Sequence, residues 1–117
     1  MTKIDHIAIQ VSNLFESVDW YVKNFNSKIL YSDDTWAMLL VGNTKLALTI
    51  PEQHPPHIAF EVESLSEFPC ADSEIKEHRD GSKYLYVNDP SGNVIEYIYY
   101  PQKSTPPPNE QIYIHLP

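Results

Sequence analysis

Residues 6–17 read HIAIQVSNLFES and residues 57–68 read HIAFEVESLSEF. His, Ile, Ala, Val, Leu and Glu thus recur at one constant separation of 51 residues. Six matches at a single offset mark an internal repeat, in which one small supersecondary unit is used twice because neither copy can bury its apolar face alone. A chain of 117 residues has room for two such copies around a common core.

The first copy is readable in detail. Leu14, Val18, Tyr21, Val22 and Phe25 recur at three- and four-residue steps, which predicts a helix over 14–25. Asn13 stands where an N-cap belongs, and Glu16 lies three residues later in capping-box position. Strands are expected near 4–10, 28–32, 35–41 and 44–50, where Ile, Leu, Val and aromatic residues dominate. In the second copy too little chain separates Ser64 from Ser73 for a full helix, and Pro69 interrupts what there is. Strands are expected there at 57–63 and near 74–78, 82–87 and 93–99. Gly42-Asn43, Asp80-Gly81 and Asp89-Pro90-Ser91-Gly92-Asn93 supply the turns. The fold class is therefore α+β, with paired βαβββ modules at about 1–51 and 52–100 and a shortened helix in the second. Residues 101–117 form a separate proline-rich tail (PQKSTPPPNEQIYIHLP) whose composition breaks from the rest.

A formal charge of −8 argues against nucleic acid and anionic membrane as partners, since both reward clustered Lys and Arg. Cys70 is the only cysteine, so no intrachain disulfide forms and four-cysteine zinc sites are excluded. No apolar run approaches a membrane span, and the N-terminus lacks the pattern of a secretory signal. A cytoplasmic location is the expectation.

The repeat gives the two histidines their interest. His6 shares a strand face with Ala8 and Gln10, and His57 shares one with Ala59 and Glu61. Two related strands laid side by side bring both imidazoles to one cleft. Glu96 lies within VIEYIYY, where a carboxylate is expensive to bury unless something positive meets it. Two imidazoles and a carboxylate can hold a divalent transition metal and leave coordination positions open. His6, His57 and Glu96 are the candidate metal ligands. Gln10, Tyr86 and Arg79 are weaker candidates for the pocket, and Tyr84, Tyr97 and Tyr99 divide between pocket and core. His54, among prolines, reads as a loop residue outside the ligand set. His78 and Lys83 flank the Asp80-Gly81 turn and read as solvated. Cys70 has no activating neighbour in sequence, and no catalytic residue is assigned.

DHIAIQV, PHIAFEV and DPSGNVIEYI resemble the three signature segments of the vicinal oxygen chelate superfamily, which includes glyoxalase I, extradiol dioxygenases, fosfomycin-resistance thiol transferases and bleomycin-resistance proteins. The resemblance covers about residues 3–100. It implies that each module curls into part of a barrel around a metal, and it places His6, His57 and Glu96 on three metal-ligand positions. Glyoxalase I has a fourth protein ligand on the last strand of its first module. Here that strand is TKLALTI, which contains no Glu, Asp, His or Gln. The pattern therefore fits dioxygenases and thiol transferases better than glyoxalase I.

Two classes of function follow. One is a metalloenzyme, a lyase or dioxygenase of glyoxalase-like type, that chelates vicinal oxygens of a small organic substrate on divalent Fe, Mn, Ni or Zn. The other is a metal-independent, bleomycin-resistance-like protein that binds or sequesters a small molecule. Both resemblances imply a homodimer.

Overall fold

The computed structural model describes residues 2–101, so all but the first residue of the proline-rich tail lies outside the described residues. β1 (Lys3–Gln10) leads into α1 (Leu14–Phe25), followed by β2 (Lys28–Ser32), β3 (Trp36–Val41) and β4 (Thr44–Thr49). The second half runs β5 (His57–Glu61), two single 3₁₀ turns at 65–67 and 72–74, β6 (Lys76–Glu77), β7 (Lys83–Asn88) and β8 (Val94–Tyr99). All eight strands join one sheet in the order β2-β3-β4-β1-β5-β8-β7-β6. This is the paired βαβββ architecture expected from the repeat, with the second helix reduced to the two short turns.

The sheet is two similar four-stranded halves meeting at β1 and β5. β1 runs parallel to β4, β5 runs parallel to β8, and β1 and β5 are antiparallel. Ile7 pairs with Ile58, its own counterpart in the repeat, while Ala8 pairs with His57 and His6 with Ala59. The pairing is therefore symmetric about Ile7 and Ile58, and it sets His6 and His57 as diagonal neighbours on one face. Such pairs lie within reach of long side chains.

α1 forms where its caps dictate. The Asn13 side chain accepts from the Glu16 amide at 3.1 Å, and Asn26 closes the helix in the left-handed region at φ 51. Its apolar stripe packs on the back of the first half-sheet, where Leu14, Val18, Ala37, Leu39 and Leu48 form the main core. Each large aliphatic side chain buried there contributes roughly 1.5–3 kcal/mol. Between β3 and β4, Gly42 at φ 63 occupies the first position of a two-residue hairpin loop, a conformation that side-chain-bearing residues rarely adopt. Where α1 has no equivalent in the second half, Phe68 packs on Tyr97, at 5.9 Å between rings.

The opposite face carries His6, Ala8, Met38, Ala47, His57, Ala59 and Glu96. Residues from β1, β3, β4, β5 and β7 wall one cavity on it, so the sheet curls around that face. Among the described residues no helix is long and apolar enough to cross a membrane.

Candidate metal centre

Three buried side chains converge at the centre of the curled face. His6 Nε2 lies 3.3 Å from His57 Nε2, and Glu96 Oε1 lies 3.2 Å from His57 Nε2 and 3.6 Å from His6 Nε2. His6 is 1 % exposed, His57 7 % and Glu96 0 %. The register explains the meeting. His6 pairs with Ala59, and Ala59 pairs with Glu96 on its other side, so the two functional side chains flank a methyl group that leaves room between them.

The outer face of each imidazole decides its protonation pattern. His57 Nδ1 lies 2.8 Å from the Pro55 carbonyl, and His6 Nδ1 lies 2.7 Å from Asp5 Oδ2. Both oxygens only accept, so each Nδ1 carries its proton and, in the neutral rings, both Nε2 atoms turn lone pairs into one small space. A cation resolves that convergence. With metal–nitrogen bonds of about 2.0–2.1 Å, neighbouring ligands of a tetrahedral or octahedral ion stand about 2.9–3.4 Å apart. Two of the three separations fall in that range and the third, His6 to Glu96 at 3.6 Å, is slightly longer, so His6, His57 and Glu96 can together hold a metal ion.

Asp5 reaches His6 because of a local irregularity. Strict alternation puts neighbouring residues on opposite faces, but the β1–β5 register shifts between Ile4 and His6, making Asp5 the extra residue of a bulge. Its carboxylate also accepts from the Tyr100 hydroxyl at 2.9 Å and pairs with Lys45 at 3.1 Å. Burial acts to raise the Asp5 carboxyl, but the His6 bond, the Lys45 ammonium and the Tyr100 hydroxyl outweigh it and hold it well below the usual carboxylate range. Such a carboxylate fixes both the tautomer and the orientation of a ligating histidine.

His78 is the residue that sequence reasoning placed wrongly. It was expected to be solvated beside the Asp80-Gly81 turn, yet it is 5 % exposed and donates from Nε2 to Glu96 Oε2 at 2.9 Å. Its ring stacks on Tyr84, with centroids 3.6 Å apart and planes 10° from parallel.

The cavity above the three side chains is walled by Ala8, Trp36, Ala47, Thr49, His54 and Tyr86. Ala8 pairs with Ala47 just as its counterpart Ala59 pairs with Glu96, so Ala47 holds in the first half the position that Glu96 holds in the second. The strand TKLALTI thus offers a methyl group where a fourth ligand would stand. His54, read from sequence as a loop residue, lines the cavity and shares a 3.2 Å hydrogen bond with Tyr86. Burial, and next the His57 ring, push His54 below the usual imidazole value, whereas burial and then the Glu96 carboxylate raise the Tyr86 phenol. Trp36 is 2 % exposed and its indole Nε1–H has no hydrogen-bond partner among the described residues.

Of the weaker candidates, Tyr86 lies in the cavity wall, edge-on to His57 at 5.2 Å. Gln10 lies outside that wall, exposed, where its amide donates to the His54 carbonyl at 2.9 Å and pins the loop before β5. Arg79 sits exposed in the β6–β7 loop, outside the cavity wall. Tyr97 and Tyr99 alternate with Glu96 along β8 and face away from the cavity, while Tyr84 shares its face.

A two-module sheet closing around a buried His-His-Glu cluster able to hold a metal ion, with a small cavity above it, defines the class of protein. The chain belongs to the glyoxalase/bleomycin resistance protein/dioxygenase superfamily, whose family model matches residues 3–69. Among curated proteins it is 30 % identical to the metallothiol transferase FosB of Staphylococcus epidermidis, over 82 % of this chain and 80 % of that one. Among solved structures it is similar to methylmalonyl-CoA epimerase from Mycobacterium tuberculosis, with a TM-score of 0.69 and 16 % identity over 86 % of this chain and 89 % of that one. It is also similar to the hypothetical protein BH1468 from Bacillus halodurans, with a TM-score of 0.68 and 19 % identity over 89 % of this chain and 98 % of that one. At these identities the two structures bear on the fold alone.

Proposed function

We propose that this chain is a metalloenzyme that binds a small organic substrate through adjacent oxygen atoms and promotes its reaction with a nucleophile, a low-molecular-weight thiol being the best-supported class. The observation that carries the reading is the convergence of His6 Nε2, His57 Nε2 and Glu96 Oε1, with both Nδ1–H groups turned outward onto acceptors. A divalent ion of Fe, Mn, Ni or Zn held by these residues would supply Lewis-acid stabilisation of negative charge developing on a substrate oxygen. Thiol transfer is preferred over lyase and dioxygenase chemistry because the metallothiol transferase matches four-fifths of the chain at 30 % identity.

In the transfer, a bond forms from the thiol sulfur to a substrate carbon, the bond from that carbon to oxygen breaks, and the thiol proton ends on the released oxygen. The protein's part is to hold and exclude. Asp5 and the Pro55 carbonyl fix the two imidazoles, and Trp36 and Tyr86 keep water from the cavity wall. The buried Trp36 N–H, which has no acceptor among the described residues, would donate to an oxygen of the substrate, since a buried donor left without a partner costs roughly 1–3 kcal/mol that a ligand acceptor recovers.

The chain acts as a homodimer, a reading supported by large apolar side chains left exposed on and near α1. Phe15 is 73 % exposed, Phe25 55 % and Trp20 51 %. Light scattering tests that part.

Apo-protein equilibrated separately with Fe(II), Mn(II), Ni(II) and Zn(II) takes up one ion per chain. The loaded protein then consumes a thiol, followed by free-thiol titration, in the presence of small epoxides that carry a neighbouring oxygen group. No stoichiometric uptake, or uptake unchanged in His57→Ala, sinks the proposal. Metal-free binding of a cationic small molecule would favour the sequestering role instead.

A further inference from the structure

The two oxygens of Glu96 have different environments. Oε1 faces the two histidines, at 3.2 and 3.6 Å, while Oε2 faces the other way and lies 2.9 Å from His78 Nε2. A carboxylate accepts and does not donate, so the Nε2–H of His78 is the donor and its bond holds Oε2 away from the ion's side. We propose that His78 is a positioning residue that keeps Glu96 a one-oxygen ligand, and so keeps three coordination positions open on the metal rather than two. The inference rests on the metal reading above and deepens it.

The open positions matter to the chemistry. Two histidines and one oxygen of Glu96 would fill three sites of a six-coordinate ion. Substrate held by two adjacent oxygens takes two more and leaves one for a further group. A carboxylate gripping through both oxygens would close that last position. Nothing in Glu96 itself prevents this, because both oxygens belong to one planar group on a flexible side chain. The hydrogen bond from His78 opposes the rotation, and charge-assisted bonds of this kind are stronger than neutral ones.

His78 is built to stay where it is. Its amide donates to the Ser82 carbonyl at 2.9 Å, and its carbonyl accepts from Gly81 at 3.0 Å. Asp80 Oδ1 ties that loop by accepting from the Ser82 amide at 2.9 Å and the Ser82 hydroxyl at 2.6 Å. Gly81, at φ 90, turns the chain where a side chain would strain it. The imidazole lies flat on Tyr84, Tyr84 meets Tyr86 edge-on at 5.5 Å, and Tyr86 meets His57 edge-on at 5.2 Å. A continuous row of rings therefore connects the residue holding the outer oxygen of Glu96 to one of the two histidines at its inner oxygen.

The experiment counts water on the ion. Manganese(II) is loaded into wild type, His78→Phe and His78→Gln, and the number of exchangeable waters on Mn(II) is read from field-dependent water-proton relaxation. His78→Phe keeps the ring on Tyr84 and removes only the donor; His78→Gln restores an N–H near the same place. We expect His78→Phe to bind Mn(II) with one fewer water than wild type, and His78→Gln to return the count to the wild-type value. Metal affinity in His78→Phe should change by about 10- to 100-fold, as loss of an outer partner commonly does. A folded His78→Phe protein with wild-type hydration of its ion overturns the role given to His78 and leaves the metal reading standing. Failure of wild type to take up Mn(II) or any other divalent ion overturns both. Should His78→Phe fail to fold, an unchanged water count in His78→Leu is the overturning result.

Discussion

His6 Nε2 and His57 Nε2 face each other across 3.3 Å while each ring's Nδ1–H is spent on an oxygen behind it. Two neutral imidazoles so arranged repel at their lone pairs, and a bound cation turns that cost into affinity. Binding to the folded state alone stabilises by about 2.7 kcal/mol at a hundredfold excess over Kd. For a domain near 100 residues that raises Tm by roughly 10 °C or more. Wild type melted with excess Zn(II) or Mn(II) should show such a rise and lose it with a chelator, and His57→Ala should show none. An equal rise in His57→Ala would place the ion elsewhere.

Asp5 joins the centre to the rest of the fold, since one carboxylate serves His6, Tyr100 and Lys45. In Asp5→Asn the oxygen facing His6 becomes a weaker, uncharged acceptor and the Lys45 ammonium loses its counter-charge. Stability should fall by about 1.5–3 kcal/mol and metal affinity by about 10- to 100-fold. Chemical denaturation and calorimetric titration measure the two losses. A variant that loses stability and keeps full affinity would show Asp5 to serve packing alone.

How much of this was legible in the sequence depended on whether the cause was local. The recurrence of HIA at 6–8 and 57–59 gave the two histidines away, because the strands that pair at the centre of the sheet are the ones that repeat. Glu96 stood out as a carboxylate in an apolar strand. The helix was fixed by Asn13 and its apolar spacing. Asp5 was hidden, because alternation assigns it to the face opposite His6 and only the bulge brings it round. His78 was hidden too. It lies in KEHRDGSK, which reads as a polar turn, and its burial comes from Tyr84 and Glu96 on strands paired later in the chain. His54 sits among prolines as a loop residue should, and the pinning of its carbonyl by Gln10 and its bond to Tyr86 fold the loop onto the cavity. Tyr97 and Tyr99 could have been sorted from sequence, since both alternate with Glu96.

Asp33 gives a pH dependence away from the metal centre. Burial acts against its charge, but the Tyr31 hydroxyl, the Thr35 and Trp36 amides and the Thr35 hydroxyl all donate to it, and together they hold it at about 2. A carboxyl depressed in the folded state contributes stability that is present above its unfolded value, near 4, and is lost as pH falls through the folded value. Wild type should therefore lose stability between pH 4 and pH 2, and Asp33→Asn should lose less over that interval from a lower starting point. Denaturant midpoints at stepped pH measure this. Parallel curves for the two proteins would exclude the linkage.

Trp36 offers the sharpest test of what enters the cavity. Its backbone is fixed by Asp33 on both sides of the β2–β3 turn, its ring lies against Tyr31 at 4.8 Å, and its buried N–H looks for an acceptor. Acetohydroxamate, a small chelator with two adjacent oxygens, added to the Zn(II)-loaded protein should draw the Trp36 indole proton downfield in ¹H–¹⁵N spectra. Trp20, half-exposed on α1, should not move. Trp36→Phe keeps the ring's bulk and removes the donor, so acetohydroxamate should bind it about tenfold more weakly while Zn(II) binds as before. A loss of Zn(II) affinity would instead mean that the indole supports the ligands. An unchanged acetohydroxamate affinity would mean that its N–H takes no part in holding what the metal holds.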